Sequence, residues 1–366
     1  MNDQKRFIGI DMSKRSFEVA IVSNDDPQIL RKKYKTTHED RQEFISSLRK
    51  DDVVALETGN SSFILAKLIQ KQVGCTVYVL NAGKLHIIFK SLKKTDKEDA
   101  LRIAKFIQRI PEEELPTVTI PSDEEMAMRS SATELIRVDR SRTQSINALH
   151  SLLCNNGITG FGRNDLRYKK NRDKVIDNLP EEYRAQGIRL LKLIDVYEQC
   201  LGEIEEEQKE VLIKHRDEST ISISMPGVGP KTAFVLLAYL GNMERFSSSR
   251  QVGYFSGFTP STDISGQQNH YGSITKQGPK QLRRVMNQAA WAAIRSQDGI
   301  ILREFYDRVR STKGKKKAIV AVGRKMLEIL YVLHIKKEMY QSPAVADHSR
   351  IVAKLKRYGL FLYKST

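Results

Sequence analysis

The chain has 366 residues, of which 61 are Lys or Arg and 44 are Asp or Glu, a formal charge of +17. With 40% hydrophobic and 29% charged residues, it is neither disordered throughout nor a membrane protein, and its length fits two or three domains. The charge is uneven: residues 251–366 hold 21 basic and 7 acidic side chains, whereas the first 250 hold 40 and 37. Such asymmetry points to a polyanion partner and argues against an enzyme confined to small neutral substrates.

The amino terminus runs directly from Met1 into a strand-like segment, so no signal peptide is expected. Residues 6–112 read as α/β. Strands are expected at 6–12, 17–22, 29–34, 53–56 and 76–80, and helices at 39–50, from Ser61 onward and at 96–108. Thr95 is placed to cap the last of these, with Glu98 in its first turn. Two adjacent strands followed by alternating β and α units imply a mixed sheet covered by helices. Residues 113–218 read as helical: one helix from 122 to about Cys154, another from Pro180 to about His215, and a basic segment at 163–174 between them. This predicts a coiled-coil arm or a helical spacer.

Residues 219–340 form a third, mainly α unit in which Gly and Ser cluster between 247 and 278, as expected of a loop. Helices follow at 279–294, 299–310 and 316–337. Residues 341–366 read as a short basic, aromatic tail. The most apolar stretch, 232–243, is too short to span a bilayer. Cys75, Cys154 and Cys200 are widely spaced, which suits a reducing compartment and predicts a cytoplasmic protein.

Four carboxylates have a shared chemistry. Asp11 ends the first strand and Glu57 ends the strand at 53–56, where ligands of such sheets gather. Asp96 and Asp99 are three residues apart on one expected helix and share a face. Four hard oxygen donors of this kind suit Mg²⁺. Two such ions about 4 Å apart stabilise the attacking and leaving oxygens of phosphoryl transfer.

Two features could meet phosphate. The run from Ile223 to Ala233, with Pro226, Gly227, Gly229, Pro230 and Lys231, has the form of a helix–hairpin–helix turn. Its glycines permit close backbone approach, and the next helix begins with free amides beside Lys231. Further on, serines lie among Lys276, Lys280, Arg283 and Arg284, cations that would neutralise a phosphodiester under nucleophilic attack. Chemistry alone does not choose among Ser256, Ser261, Ser265 and Ser273, and His270 is a possible base.

Taken in order, Gly-Ile-Asp11-Met-Ser-Lys, Leu-Glu57-Thr-Gly, Lys-Thr-Asp96-Lys-Glu-Asp99-Ala, Pro-Gly-Val-Gly-Pro and Ser265-Gly followed by Ile-Thr-Lys276-Gln-Gly resemble the DEDD transposases of the insertion-sequence-110 class. Site-specific DNA invertases are relatives of that class. The resemblance covers residues 6–335. It implies a RuvC-like (RNase H fold) amino-terminal domain (1–112), a coiled-coil middle (113–218) and a carboxy-terminal transposase domain (219–340). It also implies that Asp11, Glu57, Asp96 and Asp99 bind metal and that Ser265 is the nucleophile, forming a phosphoserine with the cleaved strand. The partners it implies are donor and target duplex DNA, a structured guide RNA, and further copies of the chain in a dimer or tetramer, one subunit's carboxylates meeting another's serine.

Three other readings compete. A RuvC-type junction endonuclease would cut with Mg²⁺ and without an adduct. A nucleic-acid scaffold would bind without cutting. An actin-like sugar kinase, suggested by the segment 8–14, would need a second α/β domain that this helical, basic remainder does not supply.

Overall fold

The computed structural model describes residues 5–24, 28–59, 61–88, 96–172, 174–265, 268–342 and 349–360. The chain divides into two compact units, 1–122 and 123–366.

The first unit is a five-stranded sheet of β1 (Arg6–Met12), β2 (Ser16–Ser23), β3 (Leu30–Lys35), β4 (Val53–Glu57) and β5 (Thr76–Leu80), in the order β3-β2-β1-β4-β5. Strands β1, β2 and β3 pair antiparallel, and β4 joins β1 and β5 in parallel. Ile8, Ile10, Val54 and Leu56 pack on one face with α1 (His38–Ser46) and α2 (Ser62–Gln72). Phe17, Tyr34 and Phe44 close that side with ring centroids 5.2–5.5 Å apart.

Phe7, Val53 and Ala55 pack on the other face, with Leu85 of α3 (Ala82–Ile88) and Ala100, Ile103, Ala104 and Ile107 of α4 (Asp96–Arg109). Because both faces are covered, the central strands are almost continuously apolar. Sequence reading placed these strands within a residue or two but missed α3. It also missed that 116–118 line the edge of β5, where Asn81 N donates to Pro116 O at 2.8 Å and Val118 N to Val79 O at 2.7 Å. Proline can accept but not donate, which suits this edge position. The expected cap, Thr95, lies outside the described residues, and Glu98 pairs with Arg31 at 3.3 Å.

The second unit is mainly helical. Helices α5 (Asp123–Asn155) and α8 (Glu181–Lys214) are each about 50 Å long and pack through Leu135, Leu201 and Ile204. Their connection contains α6 (Lys169–Arg172) and α7 (Val175–Asn178). It has its own small core, and there Arg172 is buried and held by Glu198 at 2.6 Å and Asp195 at 3.0 Å.

Then come α9 (Arg216–Ser224), α10 (Pro230–Leu240), α11 (Ser249–Ser256), a ribbon of β6 (Pro260–Ser265) and β7 (Gln268–Ile274), α12 (Lys280–Ala293), α13 (Ile300–Lys336) and α14 (Ser349–Arg357). The expected glycine-serine loop is thus a short helix and an antiparallel ribbon. Residues 349–360, expected as a tail, place Ile351, Leu355 and Leu360 in the main core. No described helix is long and apolar enough to cross a membrane.

One buried pair gives this unit a pH dependence. His334 Nε2 lies 2.9 Å from Ser222 Oγ, and burial lowers the imidazole pKa to about 4. The unfolded chain therefore binds a proton between pH 6.5 and 4 that the native state refuses. The contribution is fully present above pH 6.5 and is lost as pH falls through 4. Denaturant unfolding of His334→Gln should show an acid-side loss shallower by up to about 3 kcal/mol than the parent's; parallel curves would refute this.

Candidate functional site

Backbone geometry gathers the predicted carboxylates. In the parallel pair, Ile10 faces Leu56, so Asp11 and Glu57 stand one residue beyond, at the carboxy ends of neighbouring strands about 4.8 Å apart. Residues alternate between faces of a strand. Phe7 and Gly9 therefore share their face with Asp11, and Val53 and Ala55 share theirs with Glu57. This is the face covered by α4.

Gly9 lets that helix sit directly on the sheet: a Cβ there would lie 2.1 Å from Ala100 O and 2.4 Å from Ala104 N. The helix runs antiparallel to β1, because Gln108 Nε2 at its far end donates to Ser23 O at 3.2 Å, and Ser23 pairs with Arg6 at the start of β1. The amino-terminal turn of α4, with Asp96 and Asp99, accordingly lies at the same end of the sheet as Asp11 and Glu57.

Asp99 is half-buried and accepts from Arg102 at 3.3 Å. Glu18, opposite Asp11 on β2, is buried and pairs with Lys33 at 3.0 Å. Among the described residues no group of three or more His, Cys, Asp or Glu side chains is arranged to hold a metal, and the Asp96 side chain lies outside them. The donor set still fits Mg²⁺ in kind, since all four predicted ligands are carboxylates, two at strand ends and two at positions in the first turn of α4.

The serine lies at the end of β6, with Ser265 facing Gln268 and Asp263 facing His270 across the ribbon. Directly opposed residues share a face, so positions 263, 265, 268 and 270 stand on one side. The ribbon's base is tightly built. Thr275 N donates to Thr259 O at 2.8 Å, and Lys276 N donates to Gly257 O at 3.2 Å. Gly278, at φ 123, passes so close to Phe255 that a Cβ would lie 2.0 Å from its carbonyl oxygen. Of the serines left open by sequence, Ser256 is removed: it is fully buried and donates to Gly253 O at 2.7 Å.

The predicted cations divide into two kinds. Arg283 pins the ribbon, its Nη1 donating to Gly278 O at 2.9 Å and Ser256 O at 3.1 Å, and burial lowers its pKa. Arg284 pairs with Asp139 of α5 at 3.5 Å. Lys276 and Lys280 are exposed and form no ion pair among the described residues.

At the α9–α10 turn, Gly227 has φ 79, and a Cβ there would lie 2.2 Å from Ala289 O of α12. That close approach is thus to the protein's own backbone rather than to a phosphate. Gly229 opens onto free space and begins α10 without a side-chain cap. Lys231 pairs with Glu205 at 2.6 Å. Sequence reading missed Lys354 of α14, whose Nζ donates to Ile223 O at 2.7 Å and Val228 O at 2.5 Å and so clamps the turn. Burial lowers its pKa to about 8. The basic run around it signalled only a solvated tail.

A carboxylate-ended mixed sheet followed by a basic, mainly helical unit suits action on nucleic acid, and comparison with known proteins shows the family. A model described as the transposase IS116/IS110/IS902 family matches residues 220–307. A second, for DEDD transposases of the IS110 type, matches residues 8–155. The transposase for insertion sequence element IS1111A of Coxiella burnetii is 24% identical over 353 residues, 93% of this chain and 92% of its own length. The transposase for insertion sequence element IS1328 of Yersinia enterocolitica is 28% identical over 290 residues, 77% of this chain and 82% of its own. The pilin gene-inverting protein of Moraxella bovis is 24% identical over 269 residues, 70% of this chain and 72% of its own. The chain belongs to the IS110/IS1111 family of DEDD transposases, enzymes that act on DNA.

Proposed function

We propose that this transposase cleaves and rejoins DNA strands through a phosphoserine at Ser265, with Asp11, Glu57, Asp96 and Asp99 as ligands of Mg²⁺. The observation that carries the reading is the convergence of β1, β4 and the start of α4 at one end of the sheet, dependent on the close contact at Gly9. When bound, Mg²⁺ would offset the charge that builds on the phosphate oxygens.

The serine step forms an Oγ–P bond as the strand's P–O bond breaks, and the leaving oxygen takes up a proton. One phosphoester replaces another, so attack by a new strand end rejoins the DNA without outside energy. The ribbon that carries Ser265 is fastened at its base by Arg283. Lys276 and Lys280 are exposed at that base, five residues along the strand from Ser265 or about 17 Å, so they suit phosphates flanking the reacting one. Similarity to gene-inverting proteins favours this over a junction endonuclease, because inversion requires rejoining as well as cutting.

The turn between α9 and α10 is read as a helix–hairpin–helix contact to DNA through Gly229 and the first amides of α10, with Gly227 shaping the turn and Lys231 at its edge. A structured guide RNA and a homo-oligomer complete the proposal on the strength of the family resemblance. The carboxylates and the serine belong to different compact units.

Ser265→Ala should abolish the covalent protein–DNA adduct on denaturing gels while duplex binding persists. An adduct of undiminished yield would move the nucleophile to another serine, Ser261 or Ser273 being the exposed alternatives.

A further inference from the structure

The sequence from Arg308 to Leu327 contains no Asp or Glu and has Lys313, Gly314, Lys315, Lys316 and Lys317 near its middle. All lie within α13, but Gly314 breaks the helix with φ 76 and ψ 164, a conformation that suits glycine. Phe305 and Arg308 from before the break line the same groove as Lys325 and Ile329 from after it. Along a continuous helix Phe305 and Lys325 would be about 30 Å apart, so the chain folds back at Gly314 and the lysines form its tip.

Residues 310–317 are all exposed, and none of the four lysines forms an ion pair among the described residues. Several other cations of this unit are matched, as in Arg172 with Glu198, Lys231 with Glu205 and Arg324 with Glu328, whereas here four unmatched lysines fall within five consecutive residues. The tip is nonetheless firmly based: Leu302 and Tyr306 on one limb and Ala318, Ile319 and Val322 on the other are buried in the core. Gly323 packs against Phe258, just before the serine ribbon, with a Cβ there 3.4 Å from the ring. That contact is eight residues from Lys315, or about 12 Å along the helix.

Four unmatched ammonium groups on a rigid bend near the ribbon's base suit a run of phosphates and no apolar or cationic partner. We infer that the bend at Gly314 is a contact for the backbone of duplex DNA outside the reacting phosphate, independent of base sequence. The inference rests on DNA being the substrate, not on the phosphoserine chemistry.

The test compares the full chain with a variant carrying Lys→Gln at 313, 315, 316 and 317. Binding to two unrelated 30-base-pair duplexes and to a structured RNA of similar length is measured from 50 to 200 mM salt. EDTA is present throughout, so no strand is cut and failure of the serine chemistry leaves the readout untouched. The plot of log affinity against log salt should become shallower by about 3 to 4 for both duplexes. The matching Lys→Arg variant should retain the parent's slope. An unchanged slope, an effect on only one duplex, or a loss confined to RNA would each overturn the inference, the last by assigning the tip to RNA. A parallel loss in the Lys→Arg variant would overturn it too, since folding rather than charge would then be at fault.

Discussion

Asp11→Asn should lower strand cleavage by about 10²–10³-fold or more, the scale of losing one preorganised electrostatic partner of phosphoryl or acyl transfer. Duplex binding should be nearly unchanged. The substitution keeps the side chain's shape and removes only its charge. Asp11 lies one residue past the last β1–β4 pair, at Ile10 and Leu56, and its pairing with Glu18 of β2 is a backbone register that Asn keeps. Nicking of a duplex substrate in Mg²⁺, alongside binding in EDTA, separates the two effects. Full cleavage by the variant would remove Asp11 from the metal site, and equal loss of binding would make it a fold residue instead.

A second large effect is expected far from any titratable group. Gly9→Val should destabilise the amino-terminal unit by about 3 kcal/mol, a large share of the 5–15 kcal/mol typical of a folded domain. The new Cβ would meet Ala100 O and Ala104 N, backbone atoms that no rotamer change can move. Helix α4 would have to lift from the sheet, carrying Asp96 and Asp99 away from Asp11 and Glu57. The denaturant midpoint and the cleavage rate should therefore fall together. Gly202→Ala is the control: it lies exposed within α8 with nothing within 4 Å of an added Cβ, and its stability should not fall. A Gly9→Val protein of parental stability would mean that α4 does not rest on β1 as described.

Much of the first unit was legible in the sequence because its strands are short apolar runs bounded by polar turns, and local pattern suffices to find them. The long helices α5 and α8 were legible for the same reason, at period 3.6. What escaped was decided by partners distant in sequence. The 247–278 segment looks like a loop by composition, but β6 and β7 satisfy one another's backbone groups. Arg283 reads as a phosphate ligand, yet it is occupied by the carbonyls of Ser256 and Gly278. Residues 349–360 read as a tail, although their apolar positions complete the core and Lys354 clamps a turn more than a hundred residues earlier in the chain.

The sequence by itself determined the chemistry on offer: an order of carboxylates, glycines, serine and lysines specific enough to mark a DEDD transposase, and a basic surplus confined to the last third. Only the tertiary structure decided where those groups go. It placed Asp11, Glu57 and the start of α4 at one end of a sheet. It buried Ser256 while leaving Ser265 at the end of a ribbon, and it matched Arg284 and Lys231 with acids while leaving the lysines around Gly314 unmatched. The reason is physical. Residue type sets what a side chain can bind, but burial and the nearest opposite charge determine whether that capacity is already spent, and both depend on chain segments that sequence spacing does not bring together.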